Sequence, residues 1–345
     1  LQNRNTLILV NKYSGRYHST IRIMIILYDS FKIMFLNKQC IIFNFKSRIL
    51  AIKDFLKQDY KNIEVVITDD SDNIEIIGQI NFYTSKGLNI RYFKNQEKLG
   101  SPENWNFAMN LANGDLIKIM HHDDWFIESK SLSVLVSAFD RNENLNFVFG
   151  NSNDIDINEL NVINTHDKKH KWFKGLSKKP ELIFLQNRVG APSATLFRNK
   201  NIQFDRSLIW YVDSEFYFEY FSLGKYEYVD YSVANIGISS NQITRKCEND
   251  LTLIIKELNT IKLKNKNNLD LLVVVNFEIL KNVIRLRDQV TLEIKNQLTF
   301  TNFMFYAFFA LFRIEHKYFS RSKIERMIYL FYSPITRMAI NFNLF

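Results

Sequence analysis

Three groups of acidic residues stand where carboxylates can do chemistry. Asp123 and Asp124 sit side by side directly after the apolar run Asp115–His121. Neighbouring carboxylates repel each other and push one pKa up unless a counter-charge is supplied. A divalent cation supplies it, and Mn2+ or Mg2+ is typically held by one or two carboxylates together with substrate phosphates. The pair is therefore a candidate metal–diphosphate site, with a turn or helix cap as the alternative, since Asp favours both. His121 and His122 bring zinc to mind. Adjacent side chains on an extended segment point opposite ways, however, and no cysteine or further histidine stands at a ligand spacing, so His121 reads as a packing residue at a strand end. Asp69 and Asp70 close the run Ile63–Thr68. They suit a hydrogen bond to a base or ribose, or an Asx turn or cap ahead of the next helix, a part Asp72 also fits. Asp213 and Glu215 stand at the start of an aromatic-rich helix and are candidates for a general base. Helix-dipole complementarity is the alternative there, because acids are favoured in a first turn.

The elements that must position these groups alternate between two periods. Ser47–Gln58 has helical spacing, Ile63–Thr68 is a buried β-branched run, and a helix from about Asn73 to Lys86 ends at Gly87. Asn89–Phe93 is the next strand. Ser101 and Pro102 suit the start of a helix that stops at Gly114. Asp115–His121 is a strand, Ser129 or Ser131 caps a helix through Phe139, and Leu145–Gly150 is a strand again. Strands alternating with helices predict an α/β domain with a largely parallel sheet, whose ligands bind beyond the strand carboxyl ends. A polar excursion, Asn151–Lys171, then leads to a strand at Ala194–Arg198, the run Trp210–Glu215 with a helix to about Leu223 closed by Gly224, and a strand at Tyr226–Tyr231. From Leu251 onward the apolar spacing is helical.

Composition narrows the class further. The chain has 345 residues, 46% hydrophobic and 23% charged, which excludes a wholly disordered protein. Its two cysteines cannot build a disulfide scaffold and fit a reducing compartment. The net charge of +9 comes with basic residues that thicken toward the C-terminus, from Lys262 to Arg326. No RNA-recognition signature or zinc-finger spacing accompanies them, so no nucleic-acid partner is expected. Ile21–Phe45 is apolar, but Arg22, Asp29, Lys32 and Lys38 break it well short of the ~20 residues of a spanning helix. Leu298–Phe312 is short for a bilayer too. No small-residue cleavage site follows a basic start, and the expected location is cytoplasmic.

Four of these motifs, in order, resemble one family. The run from Gln58 to Ser71 resembles the first nucleotide-binding motif of the family 2 inverting glycosyltransferases of GT-A fold. Leu99-Gly100-Ser101 to Asn104-Trp105-Asn106, then Ala112 to Lys118 and His122-Asp123-Asp124, resemble its second block with the Asp-X-Asp-like metal motif. Gly190 to Ala194, Phe204-Asp205 and Tyr211 to Phe216 resemble its acceptor-side blocks. The resemblance covers about residues 47–245. It implies an α/β GT-A fold, Rossmann-like, with a mostly parallel central sheet flanked by helices and a helical C-terminal appendage at 246–345. Residues 1–46 form a poorly readable N-terminal segment. It implies that Asp70, with Asp69, contacts the nucleotide, with Asn104 and Asp123 also on the cofactor side. Asp124 with Asp123 holds Mn2+ or Mg2+ against the diphosphate, Asp213 is the catalytic base, and Pro192, Ser193 and Glu215 lie on the acceptor side. The implied donor is a nucleotide-sugar, UDP-sugar by default, and the acceptor a glycan or polyprenyl-linked glycan, as in bacterial surface-polysaccharide assembly.

Two departures accompany the resemblance. The family's first strand usually ends in Pro-Thr-Tyr-Asn or similar, and the reading places it at Cys40–Asn44, where Pro-Thr is missing. Relatives often carry a His before the position of Gln242-Ile243-Thr244, and this chain has Ser239-Ser240. These departures motivate a second reading, a catalytically impaired GT-A-fold binding protein with a disrupted nucleotide pocket. Interleaved aromatic and basic residues around Phe303–Arg326 suggest a peripheral contact with the inner face of the cell membrane, with packing onto the catalytic domain as the alternative.

Overall fold

A computed structural model describes residues 21–27, 53–71, 76–166, 176, 178–238, 247–299, 302, 304 and 328–336. Nine strands among them form one mixed sheet: β1 (Ile21–Leu27), β2 (Ile63–Asp69), β3 (Asn89–Lys94), β4 (Leu116–His121), β5 (Trp125–Phe126), β6 (Phe147–Asp156), β7 (Val162–His166), β8 (Thr195–Arg198) and β9 (Tyr226–Ile238), in the order β3-β2-β1-β4-β8-β6-β9-β5, with β7 beside β6. β3, β2, β1 and β4 pair in parallel, as do β6 and β9, whereas β8, β7 and β5 run antiparallel to their partners. Helices among the described residues include α1 (Ile76–Ser85), α2 (Glu103–Leu111), α3 (Ser131–Arg141), α4 (Val212–Ser222), α5 (Leu251–Lys264), α6 (Leu269–Arg285) and α7 (Leu292–Gln297).

The strands send alternate side chains to opposite faces, and each face has its own core. Val65, Ile67, Leu116, Met120, Val148 and Leu196 pack with α1 and α3 on one side. Val66, Ile117, Ile119, Phe147, Phe149 and Phe197 pack with α2 and α4 on the other. That second core also takes in Leu251, Ile254, Ile255, Leu258 and Ile261 of α5, and Leu271, Val274, Val275 and Ile279 of α6. The C-terminal helices therefore share a core with the sheet domain.

The structure revises several expectations. The strand in the centre of the parallel half is Ile21–Leu27, paired along its length with both β2 and β4. Cys40–Asn44, where the reading had put that strand, lies outside the described residues. Arg22 and the long stretch 28–62 before β2 hid the true strand, because a buried parallel strand ordinarily reads as an unbroken apolar run. Ser101 does not cap α2: its N-cap is Pro102, without a side-chain bond, and the Asn104 N–H instead reaches the Gly100 carbonyl at 2.8 Å. The polar excursion after Asn151 is largely strand, since β6 runs on to Asp156 and β7 returns antiparallel along it.

Candidate active site

The carboxyl ends of β2, β1 and β4 lie on one rim, fixed by register: Leu27 stands opposite Asp69, and Ile26 opposite His121. Asp69–Asp70 and His121–Asp124 thus leave the sheet on either side of β1. Two strand spacings separate them, about 10 Å, a gap that a nucleotide can bridge.

On the β2 side the acids organise the rim. Asp69 is fully buried; it accepts the Ser71 N–H and the Tyr92 hydroxyl, each at 2.8 Å, and Lys94 lies 3.4 Å away. Asp70 accepts from the Asn95 amide at 2.5 Å, the Leu99 N–H at 3.1 Å and the Gly100 N–H at 2.8 Å. It ties the loop ahead of α2 back to the strand. Asn104, buried on α2, accepts a second bond from the Asn95 amide at 2.9 Å. Asp69, Asp70 and Asn104 are therefore brought together, with Asn95, which the sequence did not single out, as the link.

On the β4 side, Asp124 is buried and Asp123 is partly exposed. Asp124 Oδ1 accepts the Gly237 N–H of β9 at 3.1 Å, while Oδ2 is buried, makes no hydrogen bond within 3.5 Å and faces His121 Nδ1 at 3.6 Å. Burial, then the charge of Asp123, push the Asp124 carboxyl well above its ordinary range, against the opposing pull of the Ser193 hydroxyl, the Gly237 N–H and Lys118. His121 stacks on Trp105 with centroids 5.2 Å apart, and burial holds it neutral, its pKa lowered to about 4. Its packing role is as the sequence suggested.

Lys118 escaped the sequence reading. It is fully buried on the face of Leu116 and Met120, and its ammonium donates to the carbonyls of Ile119 and Ser193. Burial lowers its pKa to about 7, with Asp124 opposing that shift. The signal was there: one lysine inside the otherwise apolar stretch Leu116–Met120. Through Lys118, and through Ser193 Oγ accepting the His121 N–H at 3.1 Å, the Pro192–Ser193 turn is fastened to the strand that leads to Asp123–Asp124.

Asp213 lies in the first turn of α4. It is half-buried, its Oδ1 has no hydrogen-bond partner, and desolvation pushes its pKa up to about 7. A carboxylate destabilised in this way is poised to take a proton near neutral pH. Tyr217, one turn along α4, donates to the Gly190 carbonyl at 3.0 Å, which joins this helix to the turn that bears Ser193. Glu215 is placed differently. It is buried and bonded to Lys264 of α5 at 2.5 Å, so its carboxylate ties α4 to the C-terminal helices.

The donor set fits Mn2+ or Mg2+. The orphaned Asp124 Oδ2 beside Asp123 offers hard oxygen ligands, which these ions prefer. Among the described residues no cluster of three or more His, Cys, Asp or Glu could hold a metal, so the remaining ligands would come from diphosphate and water, as is usual for Mg2+.

Similarity to known proteins agrees with this geometry. TarS of S. aureus superposes with a TM-score of 0.55 at 15% identity, over 81% of this chain and 47% of that one. TarS 1-349 in complex with UDP-GlcNAc superposes with a TM-score of 0.54 at 12% identity, over 94% and 92%. The fold is the GT-A glycosyltransferase fold. Residues 46–212 match the model of Glycosyl transferase family 2. GalNAc(5)-diNAcBac-PP-undecaprenol beta-1,3-glucosyltransferase of Campylobacter jejuni is 27% identical over 159 residues, 44% of this chain and 48% of its own. UDP-Glc:alpha-D-GlcNAc-diphosphoundecaprenol beta-1,3-glucosyltransferase WfaP of Escherichia coli is 35% identical over 92 residues, 26% of this chain and 35% of its own. The matches thus span about half of the first curated relative and about a third of the second.

Proposed function

We propose that the protein transfers a sugar, with inversion, from a UDP-sugar to a polyprenyl diphosphate-linked glycan. The observation that carries this reading is the placement of Asp69–Asp70 and Asp123–Asp124 on either side of the carboxyl end of β1. Asp70 and its loop face the nucleotide, and Asp124 with Asp123 holds Mn2+ or Mg2+. When bound, the cation neutralises charge developing on the diphosphate leaving group. Asp213 accepts the proton of the acceptor hydroxyl as its oxygen bonds to the anomeric carbon and the bond from that carbon to the diphosphate breaks. One base suffices for single displacement, and the half-buried, unpartnered carboxylate of Asp213 suits that part. Pro192 and Ser193 border the acceptor side.

The names of the two curated relatives support the choice of acceptor, since both act on undecaprenol diphosphate-linked glycans. The name of one, and the UDP-GlcNAc complex of the neighbour, support a uridine donor. Such an acceptor supports a reaction at a membrane surface, and a nucleotide-sugar donor supports its inner face. Among the described residues no helix is long and apolar enough to cross a membrane, and most of Phe303–Arg326 lies outside them. Peripheral attachment, read from the interleaved aromatic and basic residues of that segment, is part of the proposal. The test is UDP release from UDP-glucose or UDP-GlcNAc in the presence of an undecaprenyl diphosphate-linked GlcNAc acceptor, with the product anomer read by NMR. A β-linked product from the α-linked donor, formed only with Mn2+ or Mg2+, is expected; an α-linked product, or full turnover in EDTA, overturns the reading.

A further inference from the structure

We infer that Glu257 of α5 is a positioning residue for Asp213, an inference that rests on Asp213 being the base. Residues 209–211 form the approach to α4, and their three successive N–H groups all converge on one carboxylate. Ile209 N donates to Glu257 Oε1 at 2.7 Å, Trp210 N to Oε2 at 3.0 Å and Tyr211 N to Oε2 at 2.9 Å. Glu257 is 1% exposed and comes from a helix beyond the last strand of the sheet.

Tyr211 is the N-cap of α4 and makes no side-chain cap bond, so its own N–H is fixed from outside, by α5. Its ring hydroxyl donates to Glu278 Oε1 of α6 at 3.2 Å, and its carbonyl accepts the Glu215 N–H at 2.9 Å. Lys264, at the far end of α5, bonds both Asp205 at 2.7 Å and Glu215 at 2.5 Å. The first turn of α4 is thereby held ahead of Asp213 by Glu257 and behind it by Lys264.

Asp213 Oδ1, in contrast, has no bond of its own. Its aim is set by the backbone that carries it, and a misplacement of about 1 Å at a reacting group can cost roughly 100-fold in rate. The C-terminal helices are on this account part of the catalytic apparatus, through a contact 44 residues along the chain from the base they aim.

The experiment uses the full chain with Mn2+, follows turnover of UDP-glucose to UDP across pH, and compares wild type, Glu257→Gln, Glu257→Asp and Asp213→Asn. Thermal stabilisation by UDP reports the nucleotide site separately. Glu257→Gln replaces an acceptor oxygen by a donor that opposes the N–H groups; kcat is expected to fall by about 10- to 100-fold, with KM for UDP-glucose and UDP stabilisation unchanged and the midpoint of the pH profile displaced. Glu257→Asp keeps the charge on a shorter arm and recovers part of the loss. Folded Glu257→Gln with the kcat and pH profile of wild type overturns the inference, and if that variant fails to fold, the same result in Glu257→Asp does so. Asp213→Asn separates the two levels. Turnover surviving in Asp213→Asn removes the base assignment itself, whereas its loss alongside a wild-type-like Glu257→Gln removes only the role of Glu257.

Discussion

At Asp213 the same desolvation acts on reactivity and on stability, in opposite directions. Its folded-state pKa of about 7 stands above the ordinary 3.8. A base must be ionised to work, so kcat should rise through about pH 7 and level off above it. Stability runs the other way. Between roughly pH 4 and pH 7 the unfolded chain has released this proton while the folded chain still holds it, so stability falls as pH rises across that window. Asp213→Asn cannot ionise and escapes this penalty. It should lose roughly 10²- to 10⁴-fold in kcat and yet melt higher than wild type at pH 8, with the advantage gone by about pH 4. Differential scanning calorimetry at the two pH values checks the sign; equal melting temperatures at pH 8 would show that the carboxylate is not desolvated. Asp70 stands in contrast, because three donors already hold it. Its carboxylate shapes the loop as much as it offers contacts to a ligand.

Among the elements, the turn between β4 and β5 is the one whose placement matters most. It carries Asp123–Asp124 and rests on β9 at Gly237. A side chain there would overlap the Asp123 carbonyl oxygen and crowd Ile157, while the Gly237 N–H is what fixes Asp124 Oδ1. Gly237→Ala should therefore push the acidic pair off β9 and abolish Mn2+-dependent stabilisation by UDP, with the rest of the sheet intact by circular dichroism. Retained stabilisation would mean that the pair does not depend on this close approach. The sequence made the elements around the acids readable for a physical reason: β2, β3, β4 and α4 combine short β-branched or aromatic runs with sharp polar ends. It hid β1, because Arg22 interrupts the apolar run and the link to β2 is unusually long. It hid the full length of β6 and β9 as well. Their outer halves pair across register shifts at Phe149/Asn151 and Asn151/Ser152, and the β6 half is the polar run Asn151-Ser152-Asn153-Asp154, so periodicity gives little signal there. Within the site the acids were legible by type and spacing. Asn95, Gly237 and Glu257 were not, since each acts through a partner distant in sequence; Lys118 left a signal, a lysine inside an apolar strand, that went unread.

Across the whole molecule, what looked like an appendage to the sheet domain is packed into its core. Leu251, Ile254, Ile255, Leu258 and Ile261 of α5 are all within 1% of full burial against α4 and the sheet. At about 2 kcal/mol for each buried side chain, these five contribute about 10 kcal/mol, comparable to the 5–15 kcal/mol that holds a typical domain folded. A chain ending near residue 245 should not unfold cooperatively, and Leu258→Ala alone should cost about 2–5 kcal/mol in urea denaturation. A truncated chain with a sharp melting transition would contradict the shared core.

The central claim is that one rim of the sheet gathers nucleotide and cation between β2 and β4. Its most direct test is the melting temperature of the full chain with UDP, GDP, CDP or dTDP, each with and without Mn2+, in wild type and in Asp124→Ala. The account predicts that UDP with Mn2+ raises the melting temperature by ~5 °C, as expected for a ligand near 100 times its Kd, and that either EDTA or Asp124→Ala removes the shift. Stabilisation by UDP that is equal in EDTA and in Asp124→Ala would contradict it.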